Sequence, residues 1–216
     1  LAPESVQEVA DLTFDAFDLA DRYRTPVMVL GDGMLGQMKE PVVFPGQLTS
    51  LPEKEWALKG RGDGASRYMA SLILDPLEME RHNWKLVRKY REIQKNEVRY
   101  EAYMMDDAEI VAVAYGTTAR IAKGAIKRVR KDGIKAGLIR PITLWPFPTD
   151  IIQDVSIKIP SFVVFEMSTG QMVDDVKMAL EGRSRVYFHG RPGGIIPTPA
   201  EFARILYREY MLLKKG

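Results

Sequence analysis

Gly31-Asp32-Gly33 follows an apolar run, Val27-Met28-Val29-Leu30, and is a place in this 216-residue sequence where chemistry could sit. A Gly-Asp-Gly turn at the end of a strand is a setting in which a carboxylate ligates a magnesium ion carrying a diphosphate. That ion needs further hard oxygen ligands, and in this motif an asparagine roughly 25 to 30 residues on supplies one. From Asp32 the window holds Ala57-Leu58-Lys59-Gly60-Arg61-Gly62, with no Asn. The asparagines, Asn83 and Asn96, both lie in a charged helical stretch. The magnesium–diphosphate reading fails on ligand supply, and Gly31 and Gly33 read as turn residues. Asp32, Gly33, Gly36 and Gln37 stay candidates for a loop facing a cleft or a partner.

Further candidates sit where apolar runs end, because ligands of open parallel sheets gather at the carboxyl ends of strands. Gly116-Thr117-Thr118 precedes a helix and could offer backbone N–H groups to an anion. It completes no G-x-G-x-x-G or G-x-x-x-x-G-K-[ST] fingerprint, so a tight turn with a helix cap outweighs the anion site. Glu166 and His189 end consecutive strands and could form an acid–base couple. A buried pair tying two strand ends together, or facing a partner, outweighs that reading. Gly170 and Gln171 lie in the loop after Glu166. Arg191, ahead of Gly193-Gly194, could clamp an anionic group or hold its own loop. No G-x-S-x-G or other nucleophile signature occurs. The residues by themselves identify no catalytic group.

Composition narrows the classes. There is no cysteine, which excludes disulfides, thiolate catalysis and cysteine-ligated iron–sulfur clusters within these residues and permits a reducing, cytoplasmic home. His82 and His189 are the two histidines, too few for a histidine-rich metal site, and His82 reads as a solvated helix position. The formal charge of +2, with both signs interleaved, argues for no nucleic-acid partner. No apolar run approaches the roughly 20 residues of a membrane helix, and LAPESVQEV carries no signal-peptide pattern.

The elements that must position these residues follow from caps and periodicity. Ser5 with Glu8 opens a helix over 5–23, and 26–31 reads as a strand with Pro41 and Pro45 marking the exit. One helix and one strand bury no core, so residues 1–45 are expected to be the tail of a larger domain. Residues 46–74 read as a connector, in which Arg61-Gly62-Asp63 is a polar turn rather than an adhesion motif. Asp75-Pro76 with Glu78 opens a charged helix over 76–101. Beyond 106, strands at 109–115, 135–139, 162–165 and 186–188 alternate with helices at 119–131, 149–157, 171–181 and one opening at Thr198-Pro199-Ala200-Glu201. Continuous apolar strands alternating with helices predict a parallel sheet covered on both faces. The expected division is 1–45, a linker with a long helix over 46–105, and an α/β domain over 106–216.

The segments SVQEVADLTFDAFDLADRYRTPVMVLGDGMLGQMKEPV, AEIVAVAYGTTARIAKGAIKRVRKDGIKAGLIRPITLWPFP and FVVFEMSTGQMVDDVKMALEGRSRVYFHGRPGGIIPTPAEF resemble the alpha-type subunit of 2-oxoacid:ferredoxin oxidoreductases. The resemblance implies an α/β fold: a parallel-sheet transketolase C-terminal-like domain, preceded by the tail of a pyrimidine-binding-type domain and a helical linker. GDGMLGQM is most similar to the branched-chain, 2-oxoisovalerate (3-methyl-2-oxobutanoate) type. The 2-oxoglutarate type more often reads D-E-x-x-G-H-M there, against Gln37. The activity implied is oxidative decarboxylation of a 2-oxoacid to an acyl-coenzyme A with reduction of ferredoxin. The same resemblance implies thiamine diphosphate and Mg²⁺ in a beta-type subunit, with gamma-type and ferredoxin-like delta-type partners. Iron–sulfur clusters would lie in other subunits or domains, and no cofactor is expected on this chain alone. The family's substrate motif and activating Glu have no counterpart here, so the chain reads as a C-terminal piece, inactive alone. A transketolase or lipoamide-using dehydrogenase component and a non-enzymatic α/β module stay open.

Overall fold

The computed structural model describes residues 1–44, 54, 56–58, 60, 64 and 69–215. Arg61-Gly62-Asp63, Pro45 and most of the connector fall outside them. Helix α1 spans Val6–Tyr23. The Ser5 side chain accepts from the Glu8 N–H, and Arg24 closes the helix at φ 45°. The Glu8 carboxylate does not reach back to Ser5; it accepts from the Glu4 N–H at 2.8 Å.

Residues 26–31 form no helix and join no sheet among the described residues. Leu30 N–H donates to Leu1 O at 2.8 Å and the Leu1 amine donates to Met28 O at 2.7 Å. Among the described residues the strand expected there pairs only with Leu1 and not with a second strand, and a strand exists only through its partners. A 3₁₀ turn follows at Leu35–Gln37.

Helix α2 runs Pro76–Asn96, with Asp75 accepting from the Glu78 N–H. It stops before residue 101 because Tyr100–Tyr103 forms strand β1. The remaining elements are β2 (Ile110–Val113), α3 (Gly116–Lys131), β3 (Ala136–Pro141), α4 (Thr149–Ser156), β4 (Ser161–Glu166), α5 (Met172–Leu180), β5 (Arg185–Gly190) and α6 (Pro199–Leu213). The sheet order is β1-β3-β2-β4-β5, with β1 antiparallel to β3 and the other pairs parallel. A linker extending to 105 misses that edge strand. Its four residues alternate exposed and half-buried, a pattern that pairing makes meaningful but that a short polar segment does not advertise.

Two apolar layers cover the sheet. Ile110, Ala112, Leu138, Val163 and Phe165 face α3 and α6, where Phe165 stacks on Phe202 with centroids 3.8 Å apart. Val111, Val113, Ile139, Phe162 and Val164 face α4 and α5. Successive strand residues point to opposite faces, so continuous apolar runs feed both layers. Gly137 on β3 is required by close approach: a Cβ there would meet Met105 Sδ at 2.5 Å and Met104 O at 3.0 Å.

The first residues dock differently. A small apolar cluster, Leu19, Tyr23 and Ile93, joins α1 to α2. Ion pairs add to this contact. Arg140, 1% exposed at the end of β3, binds both Glu8 oxygens at 2.8 and 2.7 Å, with Glu4 and Glu101 also around its guanidinium. Lys123 on α3 pairs with Glu4 and, at 2.8 Å, with Glu101.

A candidate functional site at the carboxyl edge of the sheet

The crossover after β2 goes to one neighbour, β3, and the chain then returns past β2 to β4. The crevice between the carboxyl ends of β2 and β4 is the topological switch point, where open α/β sheets bind ligands. A cavity of about 160 Å³ lies there, lined by Leu30, Gly31, Asp32, Tyr115, Gly116, Thr118 and Met167. Gly31 and Asp32 and, some eighty residues on, Gly116 and Thr118 of the Gly-Thr-Thr turn thus share one wall.

Asp32 bridges the two. One carboxylate oxygen accepts from the Leu35 N–H at 2.9 Å, and the other from the Thr117 N–H at 3.2 Å. Helix α3 begins at Gly116 rather than Ala119, and its own N-cap, Tyr115, makes no side-chain bond. Asp32 supplies the acceptor and the negative charge that the helix start favours. Gly116 sits at φ 58°, and a Cβ there would come within 3.4 Å of Asp32 Oδ2. Burial, then the charges of Glu166 and Asp32, raise the Tyr115 hydroxyl above its ordinary pKa and keep it neutral. Thr117 is buried, and its hydroxyl has no partner among the described residues. Leu35 is buried, while Gly33, Met34, Gly36 and Gln37 are exposed on the loop.

On the β4 side, Glu166 is buried and saturated. Its oxygens accept from the N–H groups of Gln171 (3.1 Å), Met172 (3.1 Å) and Val173 (2.9 Å) and from the Ser168 hydroxyl (3.0 Å). Gln171 contributes backbone only in these bonds, as does Gly170, whose N–H donates to Ser168 Oγ at 3.1 Å. Glu166 is therefore the cap of α5. Gly170, at φ 110°, makes the turn.

The Glu166–His189 couple does not form. His189 pairs across β4 with Phe165 and Glu166 with Gly190, so the pleat sends the two side chains to opposite faces. His189 Nε2 instead meets Glu201 Oε1 at 2.8 Å on the α6 side. Arg191 Nε lies 3.3 Å from the same oxygen, holding its own loop to α6. The candidates thus separate: Asp32 and Gly116 line the crevice with the Thr117 amide bound to Asp32, Gly33, Gly36 and Gln37 ride the loop anchored by Asp32, Glu166 with Gly170 and Gln171 caps α5, and Arg191 belongs to another corner. Missed by sequence reasoning was the Arg140–Glu8–Glu4–Glu101–Lys123 cluster. Its only signal was an arginine closing an apolar strand, and its partner Glu8 is 132 residues away, with Glu4 farther still.

The architecture, a doubly wound α/β domain joined to a helical segment through its carboxyl edge, matches one chain of a 2-oxoglutarate:ferredoxin oxidoreductase from Magnetococcus marinus, solved with 2-oxoglutarate, coenzyme A and succinyl-CoA bound. The TM-score is 0.76 over 97% of this chain and 42% of that one, at 18% identity, which establishes the fold. Two family models divide the sequence: pyruvate flavodoxin/ferredoxin oxidoreductase, thiamine diphosphate-binding, over residues 1–108, and pyruvate:ferredoxin oxidoreductase core domain II over 108–202. The chain belongs to the pyruvate flavodoxin/ferredoxin oxidoreductase family. It is 49% identical over 195 residues to the ketoisovalerate oxidoreductase subunit VorB of Methanothermobacter marburgensis, and 48% identical to that of Methanothermobacter thermautotrophicus. It is 33% identical over 229 residues to the 2-oxoglutarate synthase subunit KorA of Methanocaldococcus jannaschii. These alignments take in 90% of this chain for both VorB subunits and 94% for KorA. The chain spans 55% of the length of the VorB relatives and 62% of the KorA relative.

Thiamine diphosphate, implied by the family, finds no diphosphate site among the described residues. Both Asp32 oxygens are engaged by backbone N–H groups. No group of three or more His, Asp or Glu able to hold a metal ion occurs among the described residues either.

Proposed function

We propose that this chain is part of the alpha-type subunit of a thiamine diphosphate-dependent 2-oxoacid:ferredoxin oxidoreductase acting on a branched-chain 2-oxoacid. The observation that carries the reading is the 49% identity to a ketoisovalerate oxidoreductase subunit, set against 33% to a 2-oxoglutarate synthase subunit. The reaction converts the 2-oxoacid and coenzyme A to acyl-CoA and CO₂, passing two electrons to ferredoxin. In this reading the diphosphate and Mg²⁺ are held by a beta-type partner, and the iron–sulfur clusters by delta-type or other subunits in the cytoplasm. Support for that division comes from Asp32, whose oxygens are committed to Leu35 and Thr117, and from the lack of cysteine in the sequence. The crevice side of this chain then forms a wall of the reaction chamber, and the α/β domain is a scaffold for assembly.

The test is reconstitution of the full-length subunit with its partners, assayed for ferredoxin reduction with 3-methyl-2-oxobutanoate and with 2-oxoglutarate. Coenzyme A-dependent turnover with at least tenfold preference for the branched-chain acid is expected. Preference for 2-oxoglutarate would reassign the substrate, and reduction of lipoamide in place of ferredoxin would reject the class.

A further inference from the structure

We propose that Asp32 is a positioning residue: its carboxylate, shared between the Leu35 N–H in its own loop and the Thr117 N–H at the start of α3, holds the exposed loop residues Met34, Gly36 and Gln37 as a rim beside the switch-point crevice that Asp32 lines, and so sets the affinity of the assembled enzyme for the reactant passing that rim. The inference rests on the proposed function for its enzymatic part and on geometry alone for the anchor.

The geometry is specific. Asp32 Oδ1 accepts at 2.9 Å within the loop and Oδ2 at 3.2 Å across 85 residues of sequence. The rest of the loop is tied chiefly to itself: Gly36 N–H donates to Asp32 O, Gln37 N–H to Met34 O and Met38 N–H to Leu35 O. Leu35 is buried, and it is the residue whose amide Asp32 holds. Beyond it Gly36 and Gln37 stand in solvent. On the other side the carboxylate lies at the amino end of a 16-residue helix, where a negative charge is favoured and backbone N–H groups have no intrahelical acceptor. Gly116 at φ 58° lets the helix start this close to the carboxylate. An aspartate that capped only its own turn would not need that glycine, and one that capped only α3 would leave Leu35 N–H without its acceptor.

A residue that places a binding wall without touching the reacting atoms contributes to ground-state and transition-state binding alike. Its loss raises KM and leaves kcat in place. Asp32→Ala removes both acceptors. Asp32→Asn keeps one carbonyl oxygen and the side-chain shape, so it retains one of the two amides.

Hydrogen exchange on the 216-residue chain is expected to show Leu35 and Thr117 amides losing protection at least tenfold in Asp32→Ala, with one of them retained in Asp32→Asn. In the reconstituted complex, KM for the 2-oxoacid or for coenzyme A rises at least fivefold in Asp32→Ala with kcat within twofold, and Asp32→Asn falls between. Unchanged exchange overturns the anchor. Unchanged KM values, a loss confined to kcat, or a loss of assembly that Asn does not soften overturns the positioning role. A wild-type complex that turns over no 2-oxoacid sinks the functional reading and with it the enzymatic half of this proposal, while the exchange data still decide the anchor.

Discussion

Phe162 and Phe17 are the same side chain in two regions held together by different means. Phe162 lies on β4, fully enclosed by α4, α5 and the sheet, whereas Phe17 on α1 is 72% exposed. The C-terminal α/β region is joined by two apolar layers, and the N-terminal residues are pinned to it by ion pairs beside a small apolar cluster. Along α3 three acidic residues of the first region meet successive turns: Asp32 at the Thr117 amide, Glu40 at Arg120 (2.7 Å) and Glu4 at Lys123. Burial of apolar area is non-directional and tolerates small shifts. Ion pairs depend on geometry, and breaking one partner leaves the other uncompensated. One region is therefore stable through bulk, and the other is placed through specific contacts.

The largest expected effect comes from breaking the apolar side. Phe162→Ala opens a cavity between the sheet and α5 and should cost about 3–5 kcal/mol, read as a lower urea midpoint. Next is Arg140→Leu, which keeps an apolar stem in place and strands Glu4, Glu8 and Glu101 beside a single lysine. Its cost of about 2–3 kcal/mol, below that of a fully enclosed pair because the carboxylates reach solvent, should fall on docking. Amide exchange in α1 should accelerate roughly 30- to 100-fold with sheet amides little changed, since each 1.4 kcal/mol is about tenfold. Equal acceleration in both regions would erase the contrast between them.

Glu166→Gln tests charge inside the apolar region. One carbonyl oxygen cannot serve four donors, so the start of α5 should loosen by about 1–2 kcal/mol, seen as faster exchange at Met172 and Val173. Acidification is smaller, and at the clamp it acts through Glu8. Burial pushes the Glu8 carboxyl up, but the Arg140 hydrogen bonds, the Glu4 N–H and the charges of Arg140 and Lys123 together outweigh it and hold the group below its ordinary 4.5. A depressed folded-state pKa stabilises fully above the unfolded value and ceases to do so as pH falls through the folded one. NMR shifts of α1 should thus be constant from neutral pH to about 4.5 and move below it. Smallest of all, Phe17→Ser should change the stability of this chain by no more than about 0.5 kcal/mol in a urea melt.

The same contrast decides what the sequence made legible. Helix starts were readable because their signals are local: Ser5, Asp75 and Thr198 each accept from the amide three residues on. The parallel strands were readable because apolar runs in a two-sided sheet need no alternation. Strand β1 was not, because its identity comes from pairing with β3. The candidate site was half legible. Asp32 was singled out for a metal, and the missing asparagine removed that role, yet nothing local names Thr117 as its partner. Glu166 and His189 were joined by their shared position at strand ends, and the pleat separates them. Long-range charge pairing has no periodicity, so the Arg140 cluster left no pattern to read.

Gly137 ties these regions into one heritable unit. It lies on a buried strand, far in sequence from α1, and touches no charge. A methyl group there would lift residues 104–108 away from β3, and Glu101 on β1 rides with that connection. The substitution would therefore be felt as a weaker grip on Glu101's partners, Arg140 and Lys123. Drift at an inner, uncharged position is constrained by the docking of a helix it never meets.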